Sequence, residues 1–264
     1  MRSHVGFTKF VARLSAVSLF AVGAVGLAGQ SLPNARPLPS VQQVMNSYVS
    51  ALGGRAAIFK HKSMTVRGTI EISEKGPSLD SATYYKEGKM LLEVTLPSGG
   101  TYREGYDGAV AWQLHPRNGP KIFEGDVVKS KERDADMYYP ARILDYFKSM
   151  EVVEVTNFEG HTCYHLKGTN KWGMVNEHYY DTTTGLLAGY RFNSAWRGGS
   201  GDETEIFSDY KDFSGWRMPT RDTHKSADGT QTDTIASVTF DNVADAVFTV
   251  PDAIKRLLAK NGGA

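Results

Sequence analysis

The sequence predicts a mainly β protein (α+β), in which about eleven antiparallel strands form a sandwich or a barrel with a few short helices beside them. Two observations predict this fold class. Apolar and polar side chains alternate with a period of two over residues 64–114 and 151–240, as in antiparallel strands with one buried face. Turn residues interrupt this alternation at intervals of roughly 10–14 residues, which is typical of such folds.

The amino terminus predicts export. Basic residues lie within positions 1–13, and positions 14–28 are apolar and small. This run is shorter than the roughly 20 apolar residues that span a bilayer, and it is typical of a secretory signal peptide, with an uncleaved anchor as the alternative. Gln30 follows Leu27-Ala28-Gly29 where a lipoprotein would carry cysteine, so no lipid attachment is expected.

The remaining chain is predicted to be a linker followed by one domain. Residues 29–39 hold three prolines and are predicted to be extended, and residues 40–260 carry the regular periodicities. With 30 basic and 29 acidic residues, the chain lacks the positive charge of a nucleic-acid or membrane-surface binder. The single cysteine, Cys163, excludes an intrachain disulfide framework.

A capping box marks the first helix, with Ser40 as the N-cap and Gln43 reaching back to it. Apolar residues then recur at helical spacing up to Leu52, and Gly53-Gly54 ends the helix. We expect its apolar face to pack on the sheet. Eleven strands are predicted over 64–72, 90–96, 102–106, 109–114, 151–156, 161–167, 174–181, 186–192, 204–210, 217–224 and 232–240.

Four further features place a turn and helices. Asp107-Gly108 predicts a tight hairpin, because both residues tolerate a positive φ. Residues 126–135 are charged and compatible with a helix. A second helix is predicted over 139–149, because Pro140 suits a first helical turn and Ile143, Leu144 and Phe147 share one face. A third begins at Asp252 and ends at Asn261-Gly262.

Signatures of catalysis are absent from the sequence. It has no phosphate loop, no G-x-G-x-x-G, no G-x-S-x-G, no C-x-x-C and no H-E-x-x-H. His161, Cys163 and His165 would share one strand face, but same-face neighbours are roughly 7 Å apart and metal–ligand bonds are roughly 2.0–2.3 Å, so one ion could hardly reach the outer pair. We therefore expect no enzyme and no metal site.

Aromatic residues are abundant, with 13 tyrosines, 12 phenylalanines and 4 tryptophans. On a curved sheet they could fill a core, or they could line a cavity for an apolar ligand. The periodicity alone leaves both possibilities open.

Several motifs together suggest a family. The motifs are Tyr48…Ala51-Leu52-Gly53-Gly54, Val66-Arg67-Gly68, Tyr85-Lys86…Lys89-Met90, Gly105-Tyr106-Asp107-Gly108…Trp112, Tyr179-Tyr180-Asp181…Thr184-Gly185-Leu186-Leu187 and Phe248-Thr249-Val250-Pro251. In these the chain resembles the LolA-like superfamily of outer-membrane lipoprotein-sorting periplasmic proteins, over roughly residues 40–252. These are strand and hairpin markers rather than catalytic signatures.

The resemblance implies an incomplete antiparallel β-barrel whose open side is covered by short helices that act as a lid. It also implies a periplasmic location and an acyl chain, of a lipoprotein or a lipid, held in an apolar cavity. In the carriers of this family an arginine near the barrel mouth helps to gate the lid, and Arg67 is the candidate counterpart here.

This interpretation leads to a set of candidate ligand-binding residues. Those expected to line the concave side of the sheet are Met90, Leu92, Val94, Trp112 and Leu114. Those expected on the helical lid are Ile143 and Phe147. If a strand were shifted by one residue, the other alternate set of its side chains would line the concave side, because successive strand side chains point to opposite faces.

The resulting function is a periplasmic carrier of an acyl chain, without cofactor, metal or catalytic residues. The expected partner is an acylated lipoprotein or lipid, with an envelope protein as a potential delivery partner, no nucleic acid and a monomeric chain. The alternative is a non-catalytic cell-envelope scaffold or binding module with a filled barrel, and an enzyme is the third class. Burying an acyl chain contributes about 0.8 kcal/mol per methylene, so release requires a movable lid.

Overall fold

The computed structural model describes residues 37–72, 76–194 and 201–261. The predicted signal peptide, 1–28, and most of the predicted linker, 29–39, lie outside the described residues. That residues 40–260 make a single domain stays a prediction.

In the described residues the helices are α1 Val41–Ala51, α2 Arg55–Phe59, α3 Asp126–Asp134, α4 Tyr139–Arg142 and α5 Asp252–Asn261. Two 3-10 helices span Ile143–Tyr146 and Asp245–Phe248. The strands are β1 Ser63–Ile72, β2 Ser78–Lys86, β3 Lys89–Thr95, β4 Thr101–Tyr106, β5 Ala111–His115, β6 Gly119–Ile122, β7 Phe147–Phe158, β8 His161–Asn170, β9 Val175–Asp181, β10 Leu187–Asn193, β11 Asp202–Ser208, β12 Lys211–Phe213, β13 Trp216–Met218, β14 Arg221–Ser226 and β15 Gly229–Phe240.

The main sheet of the described chain has thirteen strands, in the order β6-β5-β4-β3-β2-β1-β15-β14-β11-β10-β9-β8-β7, and its two edges do not meet. All neighbouring strands in it are antiparallel. A separate hairpin pairs β12 with β13. The predicted fold class, a mainly β incomplete antiparallel barrel with short helices, is confirmed.

The strand count is higher than the predicted eleven for local reasons. The predicted strand 217–224 is divided into β13 and β14, because Pro219 lacks the N–H that would continue a ladder. β2 was not predicted, since Ser78–Lys86 mixes polar and apolar residues without a regular alternation. β6 is only four residues long and contains Pro120.

Helix α1 forms as its sequence predicts. The backbone N–H of Gln43 donates to Ser40 Oγ at 3.3 Å, and the Ser40 N–H donates to Gln43 Oε1 at 2.7 Å. The chain then turns at Gly53, whose φ is +107° and whose added Cβ would lie 1.9 Å from the carbonyl oxygen of Gly215. Only glycine therefore allows the end of α1 to contact the β12–β13 hairpin this closely.

The prediction of one helix over 139–149 is wrong. The helix α4 ends at Arg142, a 3-10 helix follows, and Phe147 begins strand β7 opposite Asn170. The apolar spacing of this segment fits a helix, but its last residues are paired with β8, which satisfies their backbone groups in the sheet. Helix α3, by contrast, confirms the expectation for 126–135.

Both faces of the sheet are partly covered. We call the face that carries Met64, Val66 and Met90 the inner face; α1, α2, α4 and the β12–β13 hairpin pack there. On the opposite, outer face, Ile254 of α5 packs with Trp112. The ladder between β1 and β15 shifts register at Arg67/Gly68, and such a bulge bends a sheet.

Candidate functional site

A cavity of 550 Å³ lies between the inner face of the sheet and its cover, and it is partly open to solvent. Its sheet wall comes from β1–β4, β10, β11, β14 and β15. Its cover comes from α1, from α3, from residues 136–142, which we call the α4 segment, and from β13. The volume falls within the roughly 300–1,000 Å³ of ligand pockets in proteins.

Most of the lining is apolar. The sheet contributes Met64, Val66, Ile70, Tyr85, Met90 and Leu92, and the cover contributes Tyr48, Leu52, Met137, Tyr139, Pro140, Trp216 and Met218. Tyr48 of α1 is buried and meets Tyr180 edge-on at a ring-centroid distance of 5.2 Å. Burial raises the pKa of the Tyr48 and Tyr85 hydroxyls, so both are neutral at physiological pH. An apolar chain therefore meets no ionised phenol on this wall.

The cover around α4 is held by polar contacts. Arg55 of α2 donates to the carbonyl oxygen of Ala141 at 3.0 Å, and the Tyr138 hydroxyl donates to the carbonyl oxygen of His61 at 2.5 Å. Asp136 accepts from the Tyr146 hydroxyl at 2.9 Å and pairs with Arg142 at 3.2 Å. The α4 segment is therefore tied to α2 and to the chain that enters β1.

Helix α3 contacts the sheet through an ion pair at the cavity. Lys131 pairs with Glu104 of β4, and both residues line the cavity. Glu104 also accepts a hydrogen bond from the Tyr102 hydroxyl at 2.6 Å. Both charged side chains are less than one-fifth exposed. We call this contact the Lys131–Glu104 bridge; it connects the cover to the sheet wall.

The wall formed by β14 and β15 is acidic. Asp222 and Asp233 are directly opposite each other in the β14–β15 ladder, and both line the cavity. We call these two residues the acidic pair. Burial raises the pKa of Asp222, as do the charges of Glu205 and Asp233. Burial also raises the pKa of Asp233, although Gln231 donates to its carboxylate at 2.9 Å.

The sequence interpretation missed this acidic wall. Its signal is present, because in Asp222-Thr223-His224 and Gln231-Thr232-Asp233 neither alternate set is apolar. An antiparallel strand with one face on a core has an apolar set. Two neighbouring strands without one therefore indicate a polar patch on the inner face.

Of the three predicted lining residues of β3, two line the cavity and one does not. Met90 and Leu92 line the cavity, as expected. Val94 has the same strand parity and is buried, but it is not part of the cavity lining.

The prediction that Trp112 and Leu114 share the face of Met90 is wrong. In the sheet, Leu91 pairs with Gly105 and Gly105 pairs with Trp112, so Trp112 lies on the face of Leu91. Leu114 is two residues further along the same strand. Trp112 and Leu114 pack in the outer cluster with Phe248 and Ile254.

The remaining three predicted residues lie away from the cavity lining. Ile143 is buried in the inner core, and Phe147 packs against that core from β7 rather than from a helical lid. Arg67 is exposed, with its guanidinium 3.5 Å from the Tyr84 hydroxyl. It shares the outer face with Tyr84 and is not among the residues that line the cavity. The arginines that line the cavity are Arg133 and Arg217.

Strand β8 carries the two histidines and the cysteine that the sequence places on one strand face. His161 Nδ1 is 3.0 Å from Asp181, whereas burial raises the pKa of the Cys163 thiol to about 11. His165 stacks on Tyr179 with ring centroids 4.8 Å apart. Over residues 37–72, 76–194 and 201–261, no group of three or more histidine, cysteine or carboxylate side chains is arranged to hold a metal ion.

A buried histidine lies on the inner face beside the cavity. Burial lowers the pKa of His178 to about 3, as does the positive charge of Arg133. Its Nδ1 lies 3.2 Å from the Tyr180 hydroxyl, and its ring stacks on Tyr190, which lines the cavity. His178 is therefore a neutral packing residue.

In the described part of the chain, no helix has the length and apolar character needed to cross a membrane.

Solved structures share this fold. A LolA superfamily protein from Nitrosomonas europaea matches with a TM-score of 0.56 at 14% identity, over 81% of this chain and 99% of that chain. A DUF1329 family protein from Desulfovibrio piger matches with a TM-score of 0.57 at 15% identity, over 79% of this chain and 97% of that chain. No family model and no curated protein matches the sequence. The resemblance to the LolA-like superfamily is thereby confirmed as a likeness of fold.

Proposed function

We propose that this protein is an exported periplasmic carrier that binds an acyl chain, of a lipid or a lipoprotein, in the 550 Å³ cavity. The observation that carries the proposal is a covered cavity with a mostly apolar lining. The signal-peptide pattern of residues 1–28, without a lipoprotein cysteine, supports export of an unanchored chain.

A carrier must bury its ligand while carrying it and must also release it. An acyl chain of about 16 carbons gains roughly 12 kcal/mol of gross transfer free energy, at about 0.8 kcal/mol per methylene. A rigid closed site would release this ligand slowly, so the cover must open. The part of the cover that we expect to move is α3 with the α4 segment, and the Lys131–Glu104 bridge is one contact that opening must break.

The scaffold alternative needs a filled barrel, and a filled barrel leaves no space of this size. An enzyme would need a perturbed polar cluster in a cleft. The acidic pair is perturbed, but catalysis by a covalent route would also need a nucleophile beside a base. The cavity's titratable groups are carboxylates, basic residues and neutral phenols, and the lone thiol of Cys163 lies in a separate cluster with Phe158 and Tyr179. A non-catalytic carrier is therefore the function that we propose.

A pair of matched substitutions tests the proposal. Leu92→Trp fills the cavity, whereas Leu114→Trp makes the same change on the outer face of the neighbouring hairpin. We expect Leu92→Trp to weaken binding of a fluorescent neutral acyl probe at least tenfold, and Leu114→Trp to change it less than threefold. Titration of the probe into purified mature protein measures both, and circular dichroism checks folding. Equal effects of the two substitutions would contradict the proposal.

A further inference from the structure

The acidic pair is an unfavourable arrangement for an empty cavity. Like charges directly opposite each other on antiparallel strands destabilise a sheet. Asp222 and Asp233 are such partners, and they lie on the cavity wall rather than toward bulk solvent. Glu205, on the adjacent strand β11, adds a third carboxylate that acts on Asp222. Strands β11, β14 and β15 therefore bring three carboxyl groups close together.

One carboxylate oxygen of this wall lacks a partner. Oδ1 of Asp222 is buried and has no hydrogen-bond partner among the described residues. Burying an unpaired carboxylate is costly, so native structures normally pair it with a donor or a cation. Asp233 is better satisfied, because the Gln231 amide donates to it at 2.9 Å.

Two of the three basic residues that line the cavity contact other carboxylates, and the third, Arg217, is exposed. Arg133 makes two contacts with Asp134, at 3.0 Å from Nε and 2.6 Å from a terminal nitrogen, and Lys131 pairs with Glu104. The charges that act on Asp222 come from Glu205 and Asp233, both carboxylates. A cation supplied by a ligand would complement this wall.

The acidic pair borders the apolar wall. Ile70 of β1 is the ladder partner of Asp233, and Asp233 is the ladder partner of Asp222, so three neighbouring strands carry them side by side. Directly opposed residues in an antiparallel pair have their Cα atoms roughly 4.5–5.5 Å apart. A ligand can therefore place an apolar tail and a polar head in the same cavity.

We propose that the cavity takes an amphiphile whose head carries a protonated amine, with the ammonium group bound at Asp222 and Asp233 and the acyl tail on the wall of Ile70, Met90 and Leu92. This rests on the proposed carrier function and specifies its ligand class. An ammonium group offers three donors and no acceptor, which matches an unpartnered carboxylate oxygen beside a second carboxylate.

A competition series tests the head group. Hexadecylamine, hexadecanol and hexadecanoate share one tail and differ in charge, and each displaces a neutral fluorescent acyl probe from purified mature protein at pH 7. We expect the amine to compete at least tenfold better than the alcohol, and the carboxylate to compete worse. Asp222→Asn and Asp233→Asn should remove the preference for the amine while the affinity for the alcohol stays within threefold.

The matched control is Asp80→Asn, which removes an exposed carboxylate of β2 that does not line the cavity. It should keep the amine preference. Equal competition by amine and alcohol in the unmodified protein, with the neutral probe still bound, would overturn the head-group proposal and leave the carrier function standing. Failure of the neutral probe and of all three competitors to bind would instead overturn the carrier function itself.

Discussion

At the scale of single residues, burial raises the pKa of Asp222, and the negative charges of Glu205 and Asp233 raise it further. A carboxyl group with a raised folded-state pKa binds more protons in the folded than in the unfolded state. This excess exists between its unfolded pKa, near 3.8, and its higher folded pKa. Stability is therefore greatest at the acidic end of this window and falls as the pH rises through it.

We predict that Asp222→Asn reduces this loss. Between pH 4 and pH 7 the free energy of unfolding of the unmodified, delipidated protein should fall relative to that of the variant, by up to about 1.4 kcal/mol per pH unit for one proton. Urea unfolding at half-unit pH intervals measures the difference. Asp80→Asn is the control and should follow the unmodified protein. Parallel pH profiles for Asp222→Asn and the unmodified protein would show that this carboxyl is not perturbed.

At the scale of elements, helix α3 is the part of the cover whose release is easiest to measure. The Lys131–Glu104 bridge connects it to β4 at the cavity, whereas Lys129 pairs only with Asp126 of the same helix, at 2.7 Å, among the described contacts. The first pair connects two elements and the second lies within one. Because both pairs join a lysine to a carboxylate, substitution of Lys129 is a matched control for substitution of Lys131.

We predict that Lys131→Met speeds ligand release. Removing the ammonium group leaves Glu104 in a largely buried position without its cationic partner, and breaking such pairs is destabilising. Stopped-flow dissociation of a fluorescent acyl probe should be about tenfold faster in Lys131→Met, a change that corresponds to about 1.4 kcal/mol. Lys129→Met should change the rate less than twofold. If both variants released the probe at the unmodified rate, α3 would not be part of the moving cover.

The hairpin of β4 and β5 shows why sequence periodicity predicted where strands lie better than which residues lie on the inner face. Asp107-Gly108 correctly located the turn between the two strands, although the loop spans residues 107–110 and only Gly108 of the two has a positive φ. Between β4 and β5, an odd-numbered residue pairs with an even-numbered one, as Gly105 does with Trp112. Between β3 and β4, odd pairs with odd, as Leu91 does with Gly105. The inner face therefore holds even residues in β3 and odd ones in β5. Loop geometry sets this parity, and alternation within a strand does not reveal it.

Helix prediction succeeded where local chemistry specifies the boundary. Ser40 and Gln43 form the capping box that the sequence predicts, and Gly53 ends α1. The segment 139–149 has no comparable stop signal. Its change to strand at Phe147 depends on pairing with β8, a contact distant in sequence. Fold class and the first helix were therefore predictable, and the composition of the cover was not.

At the scale of the whole molecule, the open sheet gives the cavity two unlike walls. The strands β1, β2 and β3 present apolar residues such as Val66 and Leu92, and β14 and β15 present the acidic pair. Strand β1 pairs with β15, so the apolar residue Ile70 lies beside the acidic pair at this boundary. An amphiphile that lies across this boundary uses both walls.

Lipid extraction and mass spectrometry of the mature protein, purified from the periplasm without detergent, test the carrier function most directly. We expect about one acyl-chain lipid or acylated peptide per protein molecule, lost in Leu92→Trp and retained in Leu114→Trp. A lipid-free protein that also fails to take up a fluorescent acyl probe would contradict it.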